Sequence, residues 1–301
     1  MKKPSTRPVN VLVFFLLILY TFTGCAGWAE NAEGQAAKSY AHPCSFYNER
    51  DFFESLSRAG AKPSQMLIRG GVIPHHLVAG YMIADFFSML SGQEVDRVIL
   101  IGPNHHLKGP RVISSRHGWR TAFGILETET ELVERLAGSG IAGFDEEAIA
   151  GEHSIAAIVP YIKYYLPDSA IVPLILHPDL TGGETENLAD LLLQHTGDRD
   201  VFVASVDFSH YLKGRDAAKR DEVTLDAIKG KDYSRLLMMG DEYLDSPSSI
   251  VTLLKVMEKS GSGSMEVIHN SNSALLLGRD IEETTSYFTL IYYQNCRGGL
   301  S

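Results

Sequence analysis

The sequence predicts an α/β fold in which helices cover both faces of a mostly parallel central sheet. Three observations predict it: short apolar runs rich in β-branched residues, amphipathic stretches of helical length between them, and turn residues at their borders. Such alternation is typical of βαβ units, whose strands run parallel and are buried on both faces.

The individual elements follow from the same patterns, taken in chain order. The apolar runs predict strands at 66–68, 98–101, 171–176, 201–206, 265–268 and 287–293. Amphipathic stretches predict helices at 78–90, 129–136, 187–193 and 250–259. A further helical stripe covers 155–166, and Pro160 inside it predicts a kink or a break, because proline lacks the amide donor of a helical hydrogen bond.

The first 25 residues have the organisation of a secretory signal peptide. Basic residues precede an apolar run from Val11 to Tyr20, and small residues follow it. The run is too short to span a bilayer as a helix, which needs about 20 residues. Residues 22–25, Phe-Thr-Gly-Cys, resemble a bacterial lipobox, in which Cys25 becomes the lipidated first residue of the mature chain. The alternative is a cysteine that merely lies near a cleavage site.

We therefore expect a signal peptide at 1–25, a tether at 26–45 and one α/β domain at 46–301. The chain has 27 basic and 37 acidic residues, and without the three basic residues of the signal its net charge is about −13. This balance argues against nucleic acid or anionic lipid as partners. The protein is expected to be exported and to contact a membrane only through its signal or a lipid anchor.

Four histidine-containing groups follow predicted strands or lie at turns that lead into helices. Ligands of open α/β sheets bind outside the carboxyl ends of the strands, so groups that are distant in the sequence can meet there. Imidazole is the commonest neutral metal ligand, and the pattern therefore indicates a metal site. The groups are Pro74-His75-His76, Gly102-Pro103-Asn104-His105-His106, Gly151-Glu152-His153-Ser154 and Asp207-Phe208-Ser209-His210.

The last two groups have further interpretations. Glu152 interacts favourably with a helix dipole if it lies in a first helical turn, and Ser154 can cap that helix. For residues 151–154, a structural role at the start of a helix and a functional role in the site are therefore equally compatible with the sequence. Asp207 and His210 are spaced so that a carboxylate and an imidazole face one pocket as proton-transfer partners.

These stretches are similar to motifs of the Memo-like family, whose bacterial and archaeal members are often called AmmeMemoRadiSam system protein B. Residues 102–106 resemble the family's GPSHH, residues 152–161 its EHSIE…LPY and residues 207–210 its SDFCHW. The resemblance extends from about Met66 to Tyr293, with the motifs in the family's order. It implies a fold like that of class III extradiol dioxygenases, which hold non-haem Fe(II) with two histidines and one carboxylate.

The resemblance also implies a set of metal ligands. The family ligands are two histidines and a cysteine, and the histidines correspond to His75 and His105, with His76 and His106 as additional candidates. The family's CGRHPI corresponds to the stretch that starts at Asp245, which puts a carboxylate in place of the cysteine. The set is then the two-histidine, one-carboxylate arrangement of Fe(II) oxygenases. If the correspondence is shifted by a residue or two, Asp245 is a helix N-cap.

The expected cofactor is a divalent metal, because loss of a thiolate disfavours copper(I). Fe(II) is expected ahead of zinc or manganese, because two histidines and one carboxylate are the ligand set of Fe(II) oxygenases. The leading hypothesis is a metal-dependent oxidoreductase of the dioxygenase type that acts on a small molecule. His210 or His153 would then transfer a proton, Asp207 would orient the imidazole, and Glu152 would belong to the same catalytic group. The alternatives are an exported, non-catalytic metal- or ligand-binding protein and a zinc metallohydrolase.

Overall fold

The computed structural model describes residues 40–295, in which helices and strands alternate along the chain. Within this range the strands are β1 (Ala41–Pro43), β2 (Ile68–Ile73), β3 (Arg97–Pro103), β4 (Val112–Ser114), β5 (Gly118–Thr121), β6 (Gly124–Leu126), β7 (Gly143–Phe144), β8 (Ala170–Leu176), β9 (Asp200–Ser205), β10 (Phe208–Leu212), β11 (Ser264–Asn272) and β12 (Thr284–Tyr293). The helices of the same range are α1 (Glu49–Arg58), α2 (Gly80–Leu90), α3 (Thr130–Gly138), α4 (Glu146–Ala150), α5 (His153–Ala156), α6 (Val159–Tyr165), α7 (Gly182–His195), α8 (Gly214–Gly230), α9 (Tyr233–Leu236), α10 (Pro247–Lys259) and α11 (Ser273–Leu277).

The central sheet has the strand order β10-β12-β2-β9-β3-β8-β4-β7, with β11 paired to β12. Its four middle strands, β2, β9, β3 and β8, are parallel, whereas β12 and β4 pair antiparallel with them on either side. The predicted α/β class is confirmed. β11 and β12 are antiparallel neighbours because only the five-residue α11 and short turns connect them, which is too little chain for a parallel crossover.

The middle strands send alternate side chains to opposite faces of the sheet, so both faces are apolar. In β3, Ile99 and Ile101 pack in the core that α3, α7, α8 and α10 cover. Val98 and Leu100 pack on the other face, under α1, α2 and α6. All four side chains are fully buried, and each contributes about 1.5–3 kcal/mol to folding. This two-sided burial explains why the strand is an unbroken apolar run.

β2 begins later than the sequence predicts. The apolar run at 66–68 predicts a strand there, but its first two residues are exposed and the strand is Ile68–Ile73. The prediction ended too early because Gly70 and Gly71 resemble a turn. A Cβ on Gly71 would overlap the ring of Phe86 and the carbonyl oxygen of Leu290, so a residue without a side chain is needed for α2 and β12 to pack here.

The helical stripe at 155–166 is divided, as Pro160 predicts. The first part belongs to α5, and α6 starts at Val159 with the proline in its first turn. The missing amide hydrogen costs no helical hydrogen bond at this position.

The domain begins before residue 46. Residues 41–43, which the sequence pattern places in the tether, form β1 and pair in parallel with β5 in a separate sheet of β1, β5 and β6. A strand of three residues is too short to show a periodic pattern. The signal peptide, Cys25 and the tether before residue 40 lie outside the described residues. None of the described helices is long and apolar enough to cross a membrane.

Candidate metal centre

The predicted site residues meet at the carboxyl ends of three neighbouring strands. His75 follows β2, His105 follows β3 and Asp207 follows β9, each two residues after its strand ends. These strands are parallel and adjacent in the order β2-β9-β3, so the three loops leave the sheet at the same edge. Asp245 reaches this edge from the turn before α10. Side chains that are distant in the sequence are thereby brought together.

The carboxylate of Asp245 lies between the two histidines. Its Oδ2 is 3.2 Å from Nε2 of His75 and 3.7 Å from Nε2 of His105. The two imidazole rings are 5.3 Å apart and nearly perpendicular. Ligand atoms held at metal distances of roughly 2.0–2.2 Å lie about 3–3.5 Å from one another. The two distances from Oδ2 of Asp245 lie in or close to this range, so the carboxylate is placed to share a cation with the imidazoles.

His75 is buried and is oriented by the end of β9. Its Nδ1 lies 3.2 Å from the carbonyl oxygen of Ser205, and its backbone N–H donates to Oδ1 of Asp207 at 3.0 Å. Because a carbonyl oxygen only accepts, Nδ1 carries a hydrogen, and Nε2 is the nitrogen left for a metal. Such partners fix the tautomer and the ring orientation of a metal-binding histidine.

His105 is oriented by Glu152. Oε1 of Glu152 lies 2.8 Å from Nδ1 of His105, and Oε2 accepts the backbone N–H of the same residue at 3.0 Å. Glu152 is also the N-cap of α5 and accepts from the backbone of Ser154. Glu152 thus caps the helix, as the structural interpretation predicts, and also contacts His105. The side chain is fully buried, so it positions His105 and does not face a substrate.

Glycine at position 102 allows this contact. A Cβ on Gly102 would lie 2.5 Å from Oγ of Ser154 and 2.8 Å from its Cβ, closer than real atoms approach. Without that Cβ, the start of α5 packs against the end of β3, and Oγ of Ser154 donates to the Pro103 carbonyl at 3.2 Å. The close packing brings Glu152 within hydrogen-bonding distance of His105.

Asp245 is not the helix cap. Ser246 is the N-cap of α10, and its side chain accepts from the backbone of Ser249. Oδ2 of Asp245 accepts the backbone N–H of Asp207 at 3.2 Å, whereas Oδ1 is buried and has no hydrogen-bond partner within residues 40–295. A buried carboxylate oxygen without a partner costs free energy. A cation bound by the carboxylate, whose Oδ2 lies near both imidazoles, would give Oδ1 a partner.

The charged side chains of the site stabilise each other. They are His75, His105, Glu152, Asp207 and Asp245, here called the cluster. Burial lowers the pKa of His75, but Asp207 and Asp245 outweigh it and raise the value to about 9. Burial is likewise outweighed at His105, where Asp245 and Glu152 raise the pKa to about 10. Despite burial, the histidines hold the pKa values of Asp245 and Glu152 below their usual range. These shifts favour protonated histidines beside charged carboxylates, and a bound cation would take the place of the protons.

The neighbouring histidines differ in their relation to the cluster. His153 stacks on His105 at 4.3 Å, and its donor atom lies within 4.8 Å of those of His75 and His105. His76 instead places Nδ1 2.7 Å from the hydroxyl of Tyr287. His106 is exposed and makes no hydrogen bond through its ring within residues 40–295. Of the two adjacent histidines after β2, His75 therefore faces the cluster.

Two cavities border the cluster. One of about 580 Å³ is lined by His75, His105, His153, Asp207 and His210, with Phe46 and Tyr211 among its other walls. A second, of about 260 Å³, shares His105, His210 and Tyr211 with the first and includes Asp245. The arrangement leaves room for a small molecule beside the candidate metal ligands.

His210 lines both cavities, and its Nδ1 is buried without a hydrogen-bond partner within the described residues. Asp207 lines the larger cavity with it, but its carboxylate bonds to the backbone of His75. No hydrogen bond joins Asp207 to His210 within residues 40–295. The two residues thus share a pocket, as their spacing predicts, while the expected direct orientation of the imidazole by Asp207 is absent.

Some residues of the site have no signal in the sequence. Ser205 acts through its backbone carbonyl, which any residue would supply. Tyr211 is exposed and has a φ of 59°, in the left-handed region that non-glycine residues seldom adopt, and it lines both cavities. Backbone strain of this kind concentrates at functional sites, but only the coordinates show it.

Comparison with known proteins agrees with this fold and shows the family. The family model described as Memo-like protein matches residues 40–291. A MEMO1 family protein of Methanosarcina barkeri is 31% identical over 74% of this chain and 86% of its own, and one of Methanosarcina mazei is 28% identical over 77% and 88%. The crystal structure of the uncharacterized protein JW3007 from Escherichia coli K12 covers 74% of this chain and 99% of its own, with a TM-score of 0.50 and 13% identity, and so resembles it in fold alone. The family match and the identity to these relatives establish that the chain belongs to the Memo-like family.

Proposed function

We propose that this chain is an exported, metal-dependent oxidoreductase of the dioxygenase type that acts on a small molecule. The observation that carries the proposal is the carboxylate of Asp245. Its Oδ2 lies near Nε2 of both His75 and His105, and its buried Oδ1 has no hydrogen-bond partner within residues 40–295. Two histidines and one carboxylate are the set favoured by Fe(II) oxygenases, because they leave open positions at the metal. Fe(II) is accordingly preferred to zinc or manganese as the cofactor.

In this proposal the chain's own residues hold the metal, fix the orientation of its histidine ligands and transfer protons. When bound, Fe(II) would supply the capacity to activate dioxygen and to coordinate oxygen atoms of a substrate. His75, His105 and Asp245 would hold it, while the Ser205 carbonyl and Glu152 keep the two rings in place. A fixed set of ligands avoids the cost of reorganisation when metal and substrate bind.

His210 is the residue best placed to transfer a proton. Its Nδ1 makes no competing hydrogen bond within residues 40–295, and its ring lines both cavities. An imidazole with a free nitrogen can accept a proton from a reacting group or donate one to it. His153 is second to it because its Nδ1 already lies 3.3 Å from Oε1 of Glu152. Asp207 supports the site by holding the backbone of His75.

A zinc metallohydrolase is the second candidate, and His153 favours it. Donor atoms of His75, His105 and His153 lie within 4.8 Å of one another, and three histidines with a bound water are typical of catalytic zinc. We rank this function second because such a set would leave the buried oxygen of Asp245 unexplained. An exported metal-binding protein without catalysis is the third candidate.

Metal content and turnover separate these candidates. The full chain, purified anaerobically without a histidine tag, is analysed for bound metal and then loaded separately with Fe(II), Zn(II) and Mn(II). Oxygen uptake is measured with a panel of small compounds that offer two adjacent oxygen atoms, and hydrolysis with activated esters. Oxygen uptake by the iron form alone supports the proposal; hydrolysis by the zinc form alone replaces it with the second candidate.

Variants assign the ligands in the same assay. We expect His105→Ala to lose nearly all of the metal of this site and Asp245→Ala to lose most of it. His195→Ala is the matched control, because this histidine lies at the end of α7 and its ring takes no part in the cluster. Full metal content in the His105 variant would contradict the assignment.

A further inference from the structure

A second group of metal-binding side chains surrounds β1 and shares no residue with the centre described above. His42 lies on β1, His117 directly precedes β5, and Glu146 is the first residue of α4. Their donor atoms lie within 4.8 Å of one another. Three elements that are far apart in the sequence therefore bring two imidazoles and one carboxylate to one point.

The distances in this group suit ligands of one ion. Oε2 of Glu146 is 3.0 Å from Nε2 of His42 and 3.5 Å from Nδ1 of His117. Ligand atoms at metal distances of roughly 2.0–2.2 Å lie about 3–3.5 Å apart. The carboxylate oxygen thus occupies the same position relative to two imidazoles that Asp245 occupies in the first site.

Nδ1 of His117 lies near Glu146 but has no hydrogen-bond partner among the described residues. Nδ1 of His117 is buried, although the ring is partly exposed, and it makes no hydrogen bond within residues 40–295. Buried polar atoms in folded proteins nearly always have a partner. An ion bound beside Glu146 would supply the missing partner for this nitrogen.

The side chains of the group are held in place before any ion binds. The ring of His42 packs against Trp119 at 4.9 Å, and the ring of His117 against Tyr40 at 4.7 Å. Glu146 accepts from Oγ of Ser115 at 2.5 Å and from the backbone of residue 116 at 3.0 Å. Ligands fixed by their neighbours in this way favour specific metal binding.

Ser115 completes the surroundings of the group. Its Oγ lies 3.0 Å from Nε2 of His42 and 2.5 Å from Oε2 of Glu146, so both ligand atoms are already oriented toward one point. The partly exposed ring of His117 lies at the surface side of the group and leaves a route for an ion from solvent.

We propose that His42, His117 and Glu146 bind a zinc ion that fastens β1 to β5 and α4. Imidazole and carboxylate ligands suit zinc, which takes two histidines and one carboxylate with water in the fourth position. The three residues of β1 form a short strand that an ion would stabilise at the start of the domain. Phe46, three residues after β1, lines the larger cavity of the first centre, so the ion would also hold one wall of that cavity.

Zinc titration of the full chain, purified without a histidine tag and competed against a chromophoric chelator, tests the proposal. We expect His117→Ala to bind one equivalent of zinc less than the wild type. This variant is the main one because Nδ1 of His117 makes no hydrogen bond whose loss would unfold the protein. Glu146→Gln, which keeps the shape of the side chain and removes its charge, should also lose that equivalent. His195→Ala is the matched control and should bind as the wild type does.

The result is independent of the first centre. The difference between the wild type and His117→Ala is one equivalent whether or not the first centre accepts zinc. In the His105→Ala background, added zinc should raise the thermal unfolding temperature, and it should no longer do so when His117→Ala is added. Equal zinc stoichiometry and affinity in the wild type and His117→Ala would overturn the proposal and leave the first centre unaffected.

Discussion

At the scale of single residues, the proposed role of Asp245 bears most directly on which metals would suit the first centre, the site of His75, His105 and Asp245. The resemblance stated from the sequence aligns Asp245 with a cysteine of the family's motif, which predicts a replacement ligand, or a helix cap if the correspondence is shifted. In the structure Ser246 caps α10, and the carboxylate of Asp245 lies between His75 and His105. A hard oxygen donor in place of a soft thiolate favours iron or manganese over copper(I).

Asp245→Cys should retain a metal site and change its preference. A thiolate beside two imidazoles is a softer donor set, so zinc and copper(I) should gain affinity relative to Fe(II) and Mn(II). Competition titrations with pairs of metals measure the change. Asp245→Ala is the control and should lose affinity for all of them. An unchanged order of metal affinities in the cysteine variant would show that Asp245 is not a ligand.

Cys44 should be chemically inert at neutral pH. Burial raises the pKa of its thiol from 9.0 to about 11. The thiolate, which is the reactive form, is then about a thousandth of the population at pH 8. Because the folded pKa is the higher one, the protonated thiol stabilises the fold below pH 9, and this stabilisation is lost as the pH rises through 11.

Alkylation with iodoacetamide, mapped by mass spectrometry, measures the reactivity of Cys44. The rate should be at least roughly 100-fold lower in the folded chain than in denaturant at pH 8, and should keep rising until about pH 11. A rate that reaches its plateau below pH 9 would contradict the assigned environment.

At the scale of elements, the contact between β3 and α5 positions His105, one of the proposed ligands of the first centre. The sequence predicts a strand followed by a histidine loop, and it offers a cap for the next helix as an independent feature. Only the packing of α5 on the end of β3 shows that one carboxylate, Glu152, serves both. The packing depends on the absence of a side chain at Gly102.

Gly102→Ala should weaken metal binding without removing a ligand. The added Cβ would push Ser154 away and separate Glu152 from His105. Loss of such a supporting contact typically costs 10–100-fold in metal affinity, and overpacking costs about 1–3 kcal/mol of stability. Metal titration and chemical denaturation measure the two effects. Gly138→Ala is the control, because a Cβ there has no neighbour within 4 Å; equal metal affinity in the two variants would contradict the role given to Gly102.

At the scale of the whole molecule, an acidic α/β domain of the Memo-like family follows a segment with the pattern of a signal peptide. Export and a lipid anchor at Cys25 remain proposals, which rest on the basic start, the apolar run and the resemblance to a lipobox. If both hold, the two candidate metal sites face an exported compartment, where reduced iron is less secure than in the cytoplasm. The metals available in that compartment would then influence which metal the first centre binds.

Cys25→Ser should abolish lipid attachment. Cells grown with labelled palmitate should incorporate the label into the wild-type protein, and the protein should sediment with membranes. The variant should carry no label, whereas Cys44→Ser, the matched control, should be labelled as the wild type is. Label in Cys25→Ser would show that the lipobox resemblance is accidental.

Local patterns predicted the features that depend on local chain properties. Apolar runs indicated β3, β8, β9 and β12, and Pro160 indicated the break between α5 and α6. Histidines that follow strands indicated a site at one edge of the sheet, because parallel strands end on the same side. Such patterns predict the structure because each residue's tendency to be buried and its backbone hydrogen bonding depend mainly on its own side chain and its near neighbours.

The sequence by itself determined the fold class, the family resemblance and the chemical type of the site residues. Only the tertiary structure decided that His75 and not His76 faces Asp245, that Glu152 supports His105, and that His42 meets His117 and Glu146. The reason is physical: which donor atoms share a point in space depends on strand order, loop geometry and close packing. These are properties of contacts between distant segments, and no single segment encodes them.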